Sequence, residues 1–221
     1  LKKFKIITKI KNFNKIVIKD LIKSKKKLKI NKFYGILFHS ERELLSKTRK
    51  EYINLVKSLK DNNLTNKVGV SVYTVKSLLK ITKKFNLDLI QIPANIMDRR
   101  FLDKKILKKL RQKKTEIFVR SVFLKGILLN NKLRYKNSLL TKYKQSFDAY
   151  DRWLMKNKIT NNKFFFIKFI LSNKINNLVI GFDNFKEYKE ILNYKNNSFV
   201  YPPNFVKNQK DNNRLLRPDL W

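Results

Sequence analysis

KVGVSVYTVKSLLKITKKFNLDLIQI, residues 67–92, consists of two short apolar runs separated by a stretch of helical spacing. Lys67 to Ser71 and Leu87 to Ile92 are nearly continuous in apolar residues instead of alternating, which is the pattern of a strand buried on both faces. Between them Val75, Leu78, Leu79 and Ile81 recur at the interval of one helix face. Strand, helix, strand with both faces of the strands covered predicts a parallel sheet with right-handed crossovers. Working outward, the same run recurs at Phe4 to Thr8, Phe33 to Phe38, Thr115 to Phe123 and Asn177 to Ile180. The helical spacing recurs at Leu44, Leu45, Ile53, Leu55, Val56 and Leu59, after Ser40 with Glu41 and Glu43 in an opening turn, where carboxylates complement the helix dipole. Two further helices are expected at Leu139 to Lys156 and Lys163 to Leu171, and a short one at Asn184 to Leu192. The fold class is therefore α/β, with six strands in an open sheet or in a closed (β/α)8 barrel of which two strands are not in this chain.

Composition narrows the chemistry. A chain of 221 residues with 43% hydrophobic content can bury one sizeable core, expected over residues 1–193, with an irregular tail from Tyr194 to Trp221 marked by Pro202, Pro203 and Pro218. Without cysteine there are no disulfides, thiol nucleophiles or Cys-ligated metals, and a single histidine, His39, excludes a multi-His metal site. No apolar run approaches the roughly 18 to 20 residues that span a bilayer, so the expectation is a cytoplasmic protein without a membrane partner. The formal charge of +37 points to polyanions. However, only 10 of the 53 basic residues are arginine and they are spread along the whole chain, which fits a solvated exterior better than a dedicated nucleic-acid arm.

The four glycines, Gly35, Gly69, Gly126 and Gly181, are too far apart for G-x-G-x-x-G or for a P-loop. A nucleotide, if bound, uses another architecture, and the C-terminal ends of barrel strands are the alternative. Gly35 and Gly69 read as packing residues inside strands, whereas Gly126 and Gly181 stand just beyond strand ends, where a ligand approaches backbone closely.

Several segments resemble the aldo/keto reductase family. Gly69-Val70-Ser71-Val72-Tyr73 is similar to the family strand ending in a nicotinamide-contacting serine, and Asp88-Leu89-Ile90-Gln91-Ile92-Pro93 to the strand ending in the glutamine that binds the carboxamide. Val119-Arg120-Ser121-Val122-Phe123-Leu124-Lys125-Gly126 resembles the strand and loop beneath nicotinamide and pyrophosphate, and Leu178-Val179-Ile180-Gly181-Phe182-Asp183 the last strand near the adenosine. Upstream, Ile6-Ile7-Thr8-Lys9 and Tyr34-Gly35-Ile36-Leu37-Phe38-His39 resemble the strands ending in the catalytic lysine and histidine. The resemblance runs from Phe4 to about Leu192. It implies a TIM barrel seen from its third strand to its eighth, NADP(H) or NAD(H) as cofactor, and a small-molecule carbonyl substrate. It also implies catalytic roles for Lys9 and His39, and cofactor contacts from Ser71, Gln91, Arg120, Ser121, Phe123, Gly181 and Lys186.

The departures from the family are specific. Its tyrosine and aspartate precede the lysine strand, and residues 1–8 contain neither, so the chain is expected to begin partway through the barrel and to be inactive alone. In the family the lysine lowers the tyrosine's pKa, which suits a phenol that titrates near 10 to proton donation at neutral pH. Val72 replaces an asparagine, and Arg120 replaces an aromatic that stacks on the nicotinamide, although a guanidinium plane can also stack on a ring. Ile191 stands where an asparagine often contacts adenine. The competing reading is a basic non-catalytic barrel or a nucleic-acid-associated binding protein.

Overall fold

The computed structural model describes residues 4–11, 15–135, 138–193 and 199–221. The chain forms two compact units, Leu1–Ile92 with Lys108–Ile117, and Pro93–Leu107 with Phe118–Trp221.

In the first unit, strands β1 (Ile7–Ile10), β2 (Gly35–Phe38), β3 (Val68–Ser71) and β4 (Leu89–Pro93, its last residue in the second unit) run parallel in chain order. Helices α1 (Lys15–Lys27), α2 (Glu41–Leu45), α3 (Arg49–Asp61) and α4 (Val75–Lys84) connect them. The continuous apolar runs behave as expected: β2, β3 and β4 are buried at every position. The long helical stretch after Ser40 divides in two, because Thr48 starts a new helix by accepting from Glu51 N while Glu51 accepts from Thr48 N, a reciprocal capping box.

Gly69 lies opposite Leu89 in register, and a Cβ there would collide with the Leu89 backbone; one at Gly35 would collide with the Leu89 side chain. Close approach of backbone requires glycine at 69, and at Gly35 a side chain would displace the Leu89 methyl, as a packing role predicts.

Helix α5 (Lys104–Gln112) leads into β5 (Glu116–Arg120), whose residues from Phe118 belong to the second unit. There β5 pairs in parallel with β6 (Asn177–Leu178). Between them lie α6 (Lys132–Tyr135), α7 (Ser138–Thr141), α8 (Lys144–Lys156) and α9 (Asn162–Ser172), and α10 (Phe185–Leu192) follows. The strand expected at Thr115 to Phe123 stops at Arg120, since Ser121 takes φ 61°, a left-handed conformation that cannot continue a strand. The run Asn177 to Ile180 is strand only over its first two residues, where β5 still faces it; Val179 is exposed.

Residues 194–198, at the start of the expected irregular tail, lie outside the described residues. From 199 onward the tail has only two 3-10 turns, Arg214–Leu216 and Pro218–Leu220, yet it is firmly tied. Arg99 donates to Pro202 O at 3.0 Å and to Pro203 O, and Gln209 Nε2 donates to Met97 O at 2.7 Å. Leu215 and Leu216 are fully buried.

Candidate active site

The first unit gathers the residues with chemistry on one side of its sheet. Strand side chains alternate between faces, and the register sets Lys9 beside Leu37, Leu37 beside Gly69, and Ser71 beside Gln91. Lys9, His39, Ser71 and Gln91 therefore share a face, with His39, Ser71 and Gln91 at the C-terminal end. The opposite face carries Ile36, Phe38, Val70 and Ile90, all fully buried.

Ser71 and Gln91 are both buried, and Ser71 Oγ donates to Gln91 Oε1 at 3.2 Å. That bond leaves the Gln91 amide N–H groups to donate and the Ser71 oxygen lone pairs to accept. Lys9 and His39 are exposed, the latter just beyond β2 with its N–H on Ile10 O at 2.8 Å.

One residue sequence reasoning missed is Glu41. It caps no more than its own helix start by pattern, yet its buried carboxylate accepts from the Tyr73 and Thr74 backbone N–H groups and from Thr74 Oγ1 at 2.9 Å. It thereby fastens the loop after β3, which follows Ser71, to the turn after His39. Its helical position was visible in sequence; the partner 32 residues away was not.

In the second unit a cleft of about 560 Å³ opens among the loop after β5, the segment after β6 and α10. Ser121, Phe123 and Gly181 line it, as do Lys125, Lys163, Asp183, Glu187 and Ile191. The loop is held in an unusual backbone: Ser121, Leu124 and Lys125 have φ 61°, 48° and 53°, and Gly126 84°. Such conformations cost of order 1 to 3 kcal/mol each in non-glycine residues outside tight turns and persist only where surroundings impose them. Asn95 is one such support, donating from Nδ2 to Ser121 O at 3.0 Å. A Cβ at Gly181 would meet nothing within 4 Å, so protein packing does not require glycine there. The cleft is open, and its charged walls are Lys125 and Lys163 with Asp183 and Glu187. Lys186 is exposed on α10 and is not among the cleft walls. Arg120 ends β5 half-buried, with Nη1 donating to Ser121 Oγ at 3.2 Å.

The sequence matches the model of the aldo/keto reductase family over residues 2–208. The chain belongs to the aldo/keto reductase family. It is thus a member of an oxidoreductase family whose cofactor class is NAD(P)H. The structure is similar to the aldo-keto reductase AKR11C1 of Bacillus halodurans in its holo form, with TM-score 0.65, 14% identity, 97% of this chain and 73% of that one covered. It is also similar to the glycerol dehydrogenase AKR11B4 of Gluconobacter oxydans, with TM-score 0.53, 15% identity, 80% of this chain and 62% of that one covered. These likenesses establish the fold, a (β/α)8-barrel architecture of which the described residues supply six strands. No curated protein matches the chain. Among the described residues no helix is long and apolar enough to cross a membrane, and no group of three or more His, Cys, Asp or Glu is placed to hold a metal ion.

Proposed function

We propose that this aldo/keto reductase chain serves hydride exchange between NAD(P)H and an aldehyde, ketone or sugar-like carbonyl. The observation that carries the reading is the buried Ser71–Gln91 pair on the same sheet face as Lys9 and His39. The cofactor supplies the hydride, and the protein's part is binding, orientation and electrostatics. Gln91 Nε2 donates to the carboxamide oxygen and the Ser71–Gln91 oxygens receive its N–H, which fixes which ring face is presented. His39 donates to the substrate carbonyl oxygen, and Lys9 supplies positive charge to the developing alkoxide. Ser121, Phe123 and Gly181 would hold the diphosphate and adenosine half, Arg120 would offer a guanidinium plane for ring stacking, and Lys186 would be the partner of a 2′-phosphate. Residues 1–8 hold no tyrosine or aspartate to match the family's proton donor and its partner, so the 221-residue chain is expected to bind cofactor without turning substrate over.

Titration of the chain with NADPH, followed by tryptophan fluorescence, tests the reading. Wild type binds; Ser71→Ala and Gln91→Ala each weaken binding about tenfold, the worth of one hydrogen bond of about 1.5 kcal/mol. Gly181→Val places bulk in open space, so it should leave the unfolding midpoint unchanged while cutting affinity by tenfold or more. Equal affinity in all three variants, or no binding by wild type, defeats the assignment; NADPH oxidation across an aldehyde panel by this chain defeats the expectation of inactivity.

A further inference from the structure

The first unit carries 29 lysines and arginines against seven aspartates and glutamates. That is a formal excess of 22 positive charges, with Glu116 ion-paired to Lys67. At the N-terminal ends of β1 to β3, the end opposite His39, Ser71 and Gln91, three of these lysines line a recess of about 340 Å³. Its walls include Phe4, Lys5, Lys32, Tyr34, Asn66 and Lys67. Phe4 is 67% exposed although it is a phenylalanine beside a cavity. The Tyr34 ring carries the ammonium groups of Lys5 at 5.0 Å and Lys67 at 4.3 Å from its centroid. Nothing in the aldo/keto reductase chemistry uses this end of the sheet.

We propose that this recess takes one unstacked base of a single-stranded nucleic acid, without sequence choice, while Lys5 and Lys32 hold the flanking phosphates. Phe4 supplies the stacking surface, since every base has a π face and an exposed aromatic in a cationic groove is the recurring device for single strands. Asn66 offers a donor and an acceptor to the base edge. Lys67 is engaged by Glu116 and Tyr34 and sets the field at the back of the recess instead of meeting phosphate. A duplex keeps its bases stacked inside and cannot present one to a recess. A vesicle surface is convex and cannot fill it. The claim is independent of the cofactor assignment, because it rests on the other end of the sheet.

The test uses the whole 221-residue chain and a fluorescein-labelled oligo(U) RNA read by anisotropy, across a salt series. Binding is expected, with Phe4→Ala weakening it roughly 5- to 100-fold at fixed salt and leaving the salt slope unchanged. Lys5→Gln with Lys32→Gln should reduce the slope by about 1.4, or ~0.7 per phosphate contact. Phe4 is exposed, so its replacement should not disturb folding; circular dichroism checks this, and photo-crosslinking of a 4-thiouridine oligomer, mapped to peptides around Phe4 and Tyr34, reads the site without any variant. Crosslinks confined elsewhere overturn the proposal. So does a Phe4→Ala affinity equal to wild type, or competition by duplex DNA, inorganic polyphosphate or anionic vesicles as effective as by unlabelled oligo(U), since each would mean that charge alone binds.

Discussion

Ion pairs at three places in the molecule share one chemistry and differ in burial. In the second unit Arg100 and Asp98 have side chains only 1% exposed, and the guanidinium fork meets the carboxylate at 2.9 and 2.8 Å. In the same unit Arg134 is 4% exposed but its partner Asp151 is 39% exposed. In the first unit Lys67 and Glu116 are 34% and 31% exposed. Desolvation is large for the first pair and small for the last, so the penalty for leaving one partner alone scales the same way. The comparison teaches that a short distance does not rank these pairs; the company of water does.

The largest effect is expected at Arg100. Beyond Asp98 it donates to Asp211 at 3.0 Å and to Leu216 O at 2.7 Å, so it joins the turn after β4 to the tail. Burial works against the charge, and the hydrogen bonds and charges of Asp98 and Asp211 more than offset it, holding the guanidinium above its ordinary range. Arg100→Ala should cost about 3 to 5 kcal/mol in urea unfolding, because it strands a buried carboxylate. Asp98→Ala should cost as much, and a loss under 1 kcal/mol from either would break the ranking by burial. Replacing both by apolar residues of similar size should recover much of the loss.

Arg134 is intermediate and sharpens the ranking. Its Nε donates to Ile127 O at 2.9 Å and its guanidinium lies over the rings of Phe147 and Tyr150 at 5.0 and 5.2 Å. Asp151, facing water, can rehydrate when left alone. Arg134→Ala should therefore cost about 2 kcal/mol, through lost packing and a bare carbonyl, whereas Asp151→Ala strands a guanidinium only 4% exposed and should cost more, about 3 kcal/mol. A loss under 1 kcal/mol from Asp151→Ala would show that the aromatic shelf and the Ile127 carbonyl, and not the ion pair, hold the Arg134 charge.

These pairs also show what sequence could and could not convey. Strands β2 to β4 were legible because both of their faces are buried, which writes a continuous apolar run. Ser71, Gln91 and His39 were singled out by the family resemblance and not by spacing, and the parallel register carries Ser71 and Gln91 to neighbouring positions. The Asp98-Arg99-Arg100 segment was equally visible as letters, but its meaning lies in partners more than 100 residues away, which no local spacing encodes. Helix ends were blurred for a different reason. The left-handed turns at Lys29, Asn63 and Lys114, which follow α1, α3 and α5, use no glycine, so the usual stop signal is missing. Ser121 hid the end of β5 in the same way.

The smallest effect belongs to Lys67 and Glu116, and it depends on pH in two directions. Burial alone would raise the Glu116 carboxyl, but hydrogen bonds from Lys67 and Tyr34 outweigh it and hold it below its usual value of 4.5. A depressed acid contributes stability above its ordinary value and loses it as pH falls through the lower, folded one. Lys67 is raised above 10.5, chiefly by the Glu116 hydrogen bond and then by Tyr34, so its contribution is present below 10.5 and is lost as pH rises through the folded value. The pair therefore helps across the neutral range and fades at both extremes. Being about one-third exposed, it should contribute no more than ~1 kcal/mol. Glu116→Gln keeps an acceptor for Tyr34 and removes the charge, so the difference between wild type and variant should be under 1 kcal/mol at pH 7, should vanish as acid protonates Glu116 in the folded state, and should shrink in high salt. A gap that persists in acid would assign the effect to packing around Tyr34, and one that matches Arg100→Ala in size would end the argument that exposure sets the order.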